Sequence, residues 1–157
     1  MRPTLLVLTP LLLAAPLLAQ PNDSRAERFM RNCDDYGGRR ERHCEVRDTT
    51  ISGNTAAGQG GGIYFYDTDG GTHTIRRTTI SGNDAQAGGG LFLYGPDDPF
   101  VIENSTISGN QATSGAGGGI YLYRLYGDSL IIRHSTIAGN SATGEGGGIF
   151  AYTAHVD

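Results

Sequence analysis

The chain of 157 residues has no tryptophan, only two cysteines and only six prolines. It also has no lysine: all 12 basic residues are arginine. That absence excludes Schiff-base catalysis and the phosphate-holding lysine of a P-loop. The 12 arginines stand against 16 acids, a net charge of −4, so the basic surface that a nucleic-acid partner needs is missing. Charged residues make up 18%, too few for a coiled coil or a charge-driven disordered tail. Long apolar runs are scarce as well. The one near the N-terminus, Leu5 to Leu13, is broken by Thr9 and Pro10 and is too short to cross a bilayer. Met1-Arg2 before it and Leu17-Leu18-Ala19 after it make residues 1–19 read as a secretory signal peptide. The expected location is therefore secreted or cell surface, with no membrane-spanning segment once the leader is removed.

In an exported chain a close pair of cysteines reads as a disulfide, here Cys33 with Cys44. Closing so small a loop contributes on the order of 2–3 kcal/mol in the chain-entropy model. Metal ligation by Cys33, His43 and Cys44 is the alternative, but it lacks a fourth ligand and the usual spacing. Residues 20–44 carry no repeat and are expected to form an N-terminal cap, with Ser24 opening a short helix through Asn32.

What the chain has in abundance is glycine, 25 residues in all, without the G-X-Y period of collagen. Most of it belongs to a repeat. Ile51-Ser52-Gly53-Asn54 returns at Ile80-Ser81-Gly82-Asn83, at Ile107-Ser108-Gly109-Asn110 and at Ile137-Ala138-Gly139-Asn140. In phase with it run Gly60-Gly61-Gly62-Ile63, Gly88-Gly89-Gly90-Leu91, Gly117-Gly118-Gly119-Ile120 and Gly146-Gly147-Gly148-Ile149. Val46, Ile75, Ile102 and Ile132 each lie five residues before a repeated isoleucine. Each unit holds three short segments of period-2 alternation, such as Ile63 to Tyr66, Thr74 to Arg77 and Thr79 to Ser81. None is long enough for a helix. The period predicts an all-β, right-handed, single-stranded parallel β-helix over residues 45–157, of about four turns of roughly 29 residues.

Parity then sorts the side chains. Ile63, Leu91, Ile120 and Ile149 form one aliphatic column and Phe65, Leu93, Leu122 and Ala151 another. Between them alternate Tyr64, Phe92, Tyr121 and Phe150, then Tyr66, Tyr94, Tyr123 and Tyr152. A column of tyrosines in an apolar bore would strand its hydroxyls at roughly 1–3 kcal/mol each, so the aliphatic columns face in and the aromatic ones out. Ile51, Ile80, Ile107 and Ile137 face in with the Val46 column. Asn54, Asn83, Asn110 and Asn140 fall at turns, where stacking allows amide-to-amide hydrogen bonds, a structural rather than a catalytic role. Thr50, Thr79, Thr106 and Thr136, with Ser52, Ser81 and Ser108, make an outward hydroxyl array.

Ile-x-Gly-Asn followed by Gly-Gly-Gly-Ile resembles the repeat of the polymorphic outer membrane proteins, and is similar to repeats of right-handed β-helix proteins of the pectate-lyase-like superfamily. The resemblance covers Cys44 to Asp157. It differs in carrying isoleucine where that family has phenylalanine, and Gly62, Gly90, Gly119 and Gly148 where it has alanine. It implies an outer-membrane or surface setting. Pectate lyases would further imply calcium and an arginine base, for which Arg76, Arg77 and Arg133 are the nominal positions.

Candidate chemistry is sparse. Asp67 and Asp69, Asp97 and Asp98, and Asp128 follow the glycine-led segments, where carboxylates can share a hard cation such as Ca²⁺. Asp67-x-Asp69-x-Gly71 lacks the rest of a calcium loop, and solvated loop acids are the simpler reading. Otherwise no cofactor is expected. His73, His134 and His155 occupy unrelated repeat positions, and no nucleophile-base set is visible, so no catalytic residue is assigned. The expected function is an exported surface or adhesion module that binds a glycan or a surface protein through its aromatic columns. The alternative is a fragment of a polysaccharide lyase or glycoside hydrolase of the pectate-lyase-like class whose catalytic turns lie beyond Asp157; on either reading the repeats are expected to be truncated at the C-terminus.

Overall fold

A computed structural model describes residues 34–35, 42–66, 72–95, 99–124 and 130–152. The leader, Cys33, most of the expected cap, and Asp67, Asp69, Asp97, Asp98, Asp128 and His155 lie outside them. β1 (Asp34–Asp35) and β2 (Arg42–His43) pair antiparallel. Four coils follow. The first contains β3 (Glu45–Arg47), β4 (Thr50–Ser52) and β5 (Ile63–Tyr66). The second contains β6 (His73–Arg76), β7 (Thr79–Ser81), β8 (Asp84–Ala85) and β9 (Leu91–Tyr94). The third contains β10 (Phe100–Glu103), β11 (Thr106–Ser108), β12 (Gln111–Ala112) and β13 (Ile120–Tyr123). The fourth contains β14 (Leu130–Arg133), β15 (Thr136–Ala138), β16 (Ser141–Ala142) and β17 (Ile149–Tyr152).

Each strand pairs in parallel with its counterpart one coil away, giving the sheets β3-β6-β10-β14, β4-β7-β11-β15, β8-β12-β16 and β5-β9-β13-β17. The architecture is an all-β parallel solenoid, as the period predicts. It departs from three strands per unit: β8, β12 and β16 add a short fourth side between asparagine and glycine triplet. In the first coil the same side makes only bridges at Thr55 and Gln59. A two-residue strand carries too little alternation to be seen in a sequence.

The register is residue for residue. Val46, Ile75, Ile102 and Ile132 align, as do Ile51, Ile80, Ile107 and Ile137, and Ile63, Leu91, Ile120 and Ile149. In the middle coils these side chains are buried to 0–1% exposure. Fully burying each contributes roughly 1.5–3 kcal/mol, and the columns together form the core. The bore also takes in Phe65, His73 and Phe100. His73 packs against the Phe65 ring at 4.4 Å between centroids, and its Nδ1 accepts the Cys44 N–H at 3.2 Å. It is thus a satisfied core histidine. The space bounded by Cys44, Val46, Ile63, Thr74, Ile75 and Phe100 admits no water-sized sphere, so this part of the bore is filled by its own side chains.

The triplet at Gly117, Gly118 and Gly119 illustrates why glycine is required. Gly117 has φ +69°, and a Cβ there would lie 2.6 Å from the Ile120 carbonyl oxygen. A Cβ on Gly118 would collide with the carbonyl oxygens of Ser141 and Gly147. On Gly119 it would stand 2.5 Å from the Gly148 oxygen and 2.8 Å from Asn140 Nδ2. The first glycine therefore turns the chain, and the other two admit the backbone of the next coil.

Candidate functional site: the aromatic face and the ladders behind it

The outward side chains of β5, β9, β13 and β17 form two aromatic columns. In the outer one Tyr66, Tyr94, Tyr123 and Tyr152 follow each other at centroid distances of 4.7, 4.9 and 5.3 Å, with interplanar angles of 29°, 24° and 12°. In the inner one Tyr64, Phe92, Tyr121 and Phe150 are 5.4, 4.8 and 5.0 Å apart. These separations follow from the spacing of parallel strands, roughly 4.8 Å, and each stacked pair is worth about 0.5–1.5 kcal/mol beyond burial.

Stacking decides what the face can offer. The ring faces inside a column are occupied by the rings above and below. Inner rings therefore present edges and phenol hydroxyls, and among the described residues open ring faces remain only at the column ends. Tyr66 and Tyr152 are 57% and 45% exposed, while Phe92, clamped between Tyr64 and Tyr121, is 1% exposed although it points away from the bore. Arg124, at φ +60°, places its guanidinium carbon 5.7 Å from the centre of the Tyr123 ring, within cation–π range.

Burial raises the Tyr121 phenol above its usual range, and Tyr123 and Tyr152 add to the shift. The sign follows from the neutral form being favoured in the fold. This contribution to stability is complete below the ordinary phenol pKa of about 10 and is lost as pH rises through the higher folded value. An absorbance titration of the tyrosines should accordingly show a late phase that Tyr121→Phe removes. A native protein with no late phase contradicts that assignment.

Behind the face runs the asparagine column. Each Nδ2 donates to the Oδ1 one coil on: Asn54 to Asn83, Asn83 to Asn110 and Asn110 to Asn140, all at 2.9 Å. The backbone N–H of each donates to the same oxygen at 2.9–3.0 Å. The second Nδ2 hydrogen reaches back to a carbonyl, Ile51 for Asn83, Ile80 for Asn110 and Ile107 for Asn140. Every polar atom of Asn110 that points into the protein is matched, which explains how an amide tolerates 0% exposure.

A second ladder, at Thr49, Thr78, Ser105 and Ser135, escapes the sequence reading. Each hydroxyl donates to the carbonyl two residues back, on Arg47, Arg76, Glu103 and Arg133. The Ser105 and Ser135 oxygens also accept the N–H of Thr78 and Ser105 from the coil before. The signal was present: a threonine or serine stands two positions before every repeated isoleucine. The residues ahead of these hydroxyls, Asp48, Arg77, Asn104 and His134, all have positive φ, which only asparagine and aspartate adopt readily.

The β3-β6-β10-β14 face is charged. Glu103 lies between Arg76 and Arg133, 3.0 Å from the Nε of each, and so separates those two like charges, while Arg47 stands directly opposite Arg76 in register and has Glu45 of its own strand 3.8 Å away. Arg76 Nε nevertheless makes no hydrogen bond of acceptable angle. Arg77 donates through Nε and one terminal nitrogen to both carboxylate oxygens of Asp48, at 2.6 and 2.7 Å, which holds the Asp48 carboxyl below its usual range. The three arginines proposed from the pectate-lyase resemblance are thus placed in ion pairs between coils. Among the described residues no group of three or more His, Cys, Asp or Glu side chains converges. The acids offered for calcium, Asp67 and Asp69, lie outside those residues, as does Cys33. Cys44 is buried beside Val46 at the start of the first coil.

Residues 30–155 match the family model described as right handed beta helix region. No curated protein and no solved structure matches at a significant level. The match spans most of the chain and coincides with the four stacked coils, and it supplies the hand of the solenoid: the chain belongs to the right-handed β-helix family.

Proposed function

We propose that the chain is an exported surface module that binds a glycan or a protein partner along its aromatic face and carries out no chemistry of its own. The observation that carries this reading is the pair of in-register aromatic columns, one of which ends in the open rings of Tyr66 and Tyr152. An open ring stacks on the apolar face of a sugar. The row of phenol edges between them supplies hydrogen bonds at a repeat of 4.7–5.3 Å. Export rests on the leader-like residues 1–19, and the Cys33–Cys44 disulfide belongs to the same reading, since an oxidising compartment would form it. A β-helix is by itself a scaffold, so the function is argued from the face and not from the fold.

A glycan-array screen of the chain without residues 1–19 tests this. Binding to at least one glycan class is expected, weakened tenfold or more by Tyr66→Ala and less by Tyr123→Ala, whose ring faces are already used. Binding indifferent to both substitutions contradicts the aromatic face as the site. Cleavage of a uronan by the same preparation contradicts the non-catalytic assignment.

A further inference from the structure

The two outward aromatic columns differ in one chemical respect. In the inner column tyrosine alternates with phenylalanine, as Tyr64, Phe92, Tyr121 and Phe150, so no phenol has a phenol as its neighbour along the stack. In the outer column every rung is tyrosine. Tyr66, Tyr94, Tyr123 and Tyr152 set phenol on phenol at each step from one coil to the next.

The spacing of those phenols suits a bond between them. The centroids of Tyr66 and Tyr94 are 4.7 Å apart and those of Tyr94 and Tyr123 are 4.9 Å apart, with the rings 29° and 24° from parallel. The column thus steps by about one strand spacing, roughly 4.8 Å, and the carbons ortho to each hydroxyl have their counterparts one step away. Two phenol rings joined directly have their centroids only slightly closer than this. Bonding therefore calls for rotation of the rings about their Cβ–Cγ axes and not for movement of the strands. The strands are held just beyond the rings, where the Gly95 N–H donates to the Tyr123 carbonyl at 2.7 Å and the Arg124 N–H to the Tyr152 carbonyl at 2.8 Å. Tyr66 is exposed and Tyr94 and Tyr123 are half-buried, so an oxidant in solution reaches the column.

We propose that the outer column is a site of oxidative phenol coupling, at which a peroxide-driven one-electron oxidant joins tyrosines of neighbouring coils as dityrosine. Each phenol gives up one electron and its hydroxyl proton. The two aryloxyl radicals then form a carbon–carbon bond between positions ortho to their oxygens. The hydrogen on each of those carbons moves to the oxygen, which restores two phenols. With hydrogen peroxide as the terminal oxidant, one peroxide is reduced to two waters for each bond formed. Holding both partners in one stack favours this coupling over any between molecules. A bond from Tyr94 to Tyr123 staples two coils and restrains the unfolded chain as a disulfide does. The proposal stands on the outer column itself and is independent of what the aromatic face binds.

Treatment of the full chain with a haem peroxidase and limiting hydrogen peroxide tests it. The monomer fraction is expected to gain dityrosine fluorescence, to lose the mass of two hydrogens per bond, and to unfold at a higher urea midpoint. Mapping after proteolysis should place the bonds between successive tyrosines of the outer column. Tyr94→Phe combined with Tyr152→Phe keeps the rings stacked but makes the outer column alternate as the inner one does, and should lower the yield at least fivefold. Tyr64→Phe combined with Tyr121→Phe removes as many phenols and should leave the yield unchanged. Thermal melting of both double variants checks that they fold. Monomer without dityrosine, bonds mapped to other tyrosines, or equal losses in the two double variants would each overturn the assignment.

Discussion

Gly118→Ala should destabilise the protein by about 3–5 kcal/mol in urea unfolding, a large fraction of what a domain of this size possesses. The added Cβ meets only backbone, the carbonyls of Ser141 and Gly147 in the next coil. No side chain can rotate away, so relief requires the third and fourth coils to separate. That would break the hydrogen bonds by which Gly119 and Ile120 donate to Gly147 and Gly148. Gly109→Ala provides the control. Gly109, unlike Gly118, has positive φ, but a Cβ there approaches nothing within 3.8 Å, so only the conformational cost of about 1–2 kcal/mol applies. Equal losses at the two positions would mean that the triplets serve the turn and not the approach of coils.

Asn110→Leu is expected to cost about 3–5 kcal/mol, because one substitution removes the partner of several buried groups. Asn83 would lose the acceptor for its N–H and one Nδ2 hydrogen, and Ile80 O and Asn140 Oδ1 would each lose a donor. Asn54→Leu, at the open end of the ladder, removes one donor to Asn83 Oδ1, which still accepts the residue 54 N–H, and should cost about 1 kcal/mol. Urea midpoints of the two variants check the gradient. Similar costs at both positions would argue that the amides act singly and not as a ladder.

Much of this was legible in the sequence because stacking converts distance along the chain into adjacency. Val46 and Ile75 are 29 residues apart and neighbours in space, so the repeat itself states the register. Parity also placed the aliphatic columns inside, since tyrosine hydroxyls have no partner in an apolar bore. What stayed hidden depends on contacts between coils that no single repeat displays. Phe92 points outward yet is fully buried, because its covering comes from Tyr64 and Tyr121 in the coils on either side. The same stacking closes the ring faces that the sequence offered as a continuous platform. The Thr49, Thr78, Ser105 and Ser135 ladder was missed because short polar residues before a strand read as ordinary turn residues. The left-handed backbone at Arg77 and His134 runs against the preference of those residue types and had no signal at all.

The central claim, that the repeats are consecutive coils in register, is tested most directly by scalar couplings across hydrogen bonds in a carbon- and nitrogen-labelled sample. The Leu91 amide nitrogen should couple to the carbonyl carbon of Gly119, and that of Ile120 to the carbonyl carbon of Gly148, both across N···O distances of 2.9 Å. Couplings to carbonyls in any other register, or to residues of the same repeat, would contradict the solenoid described above.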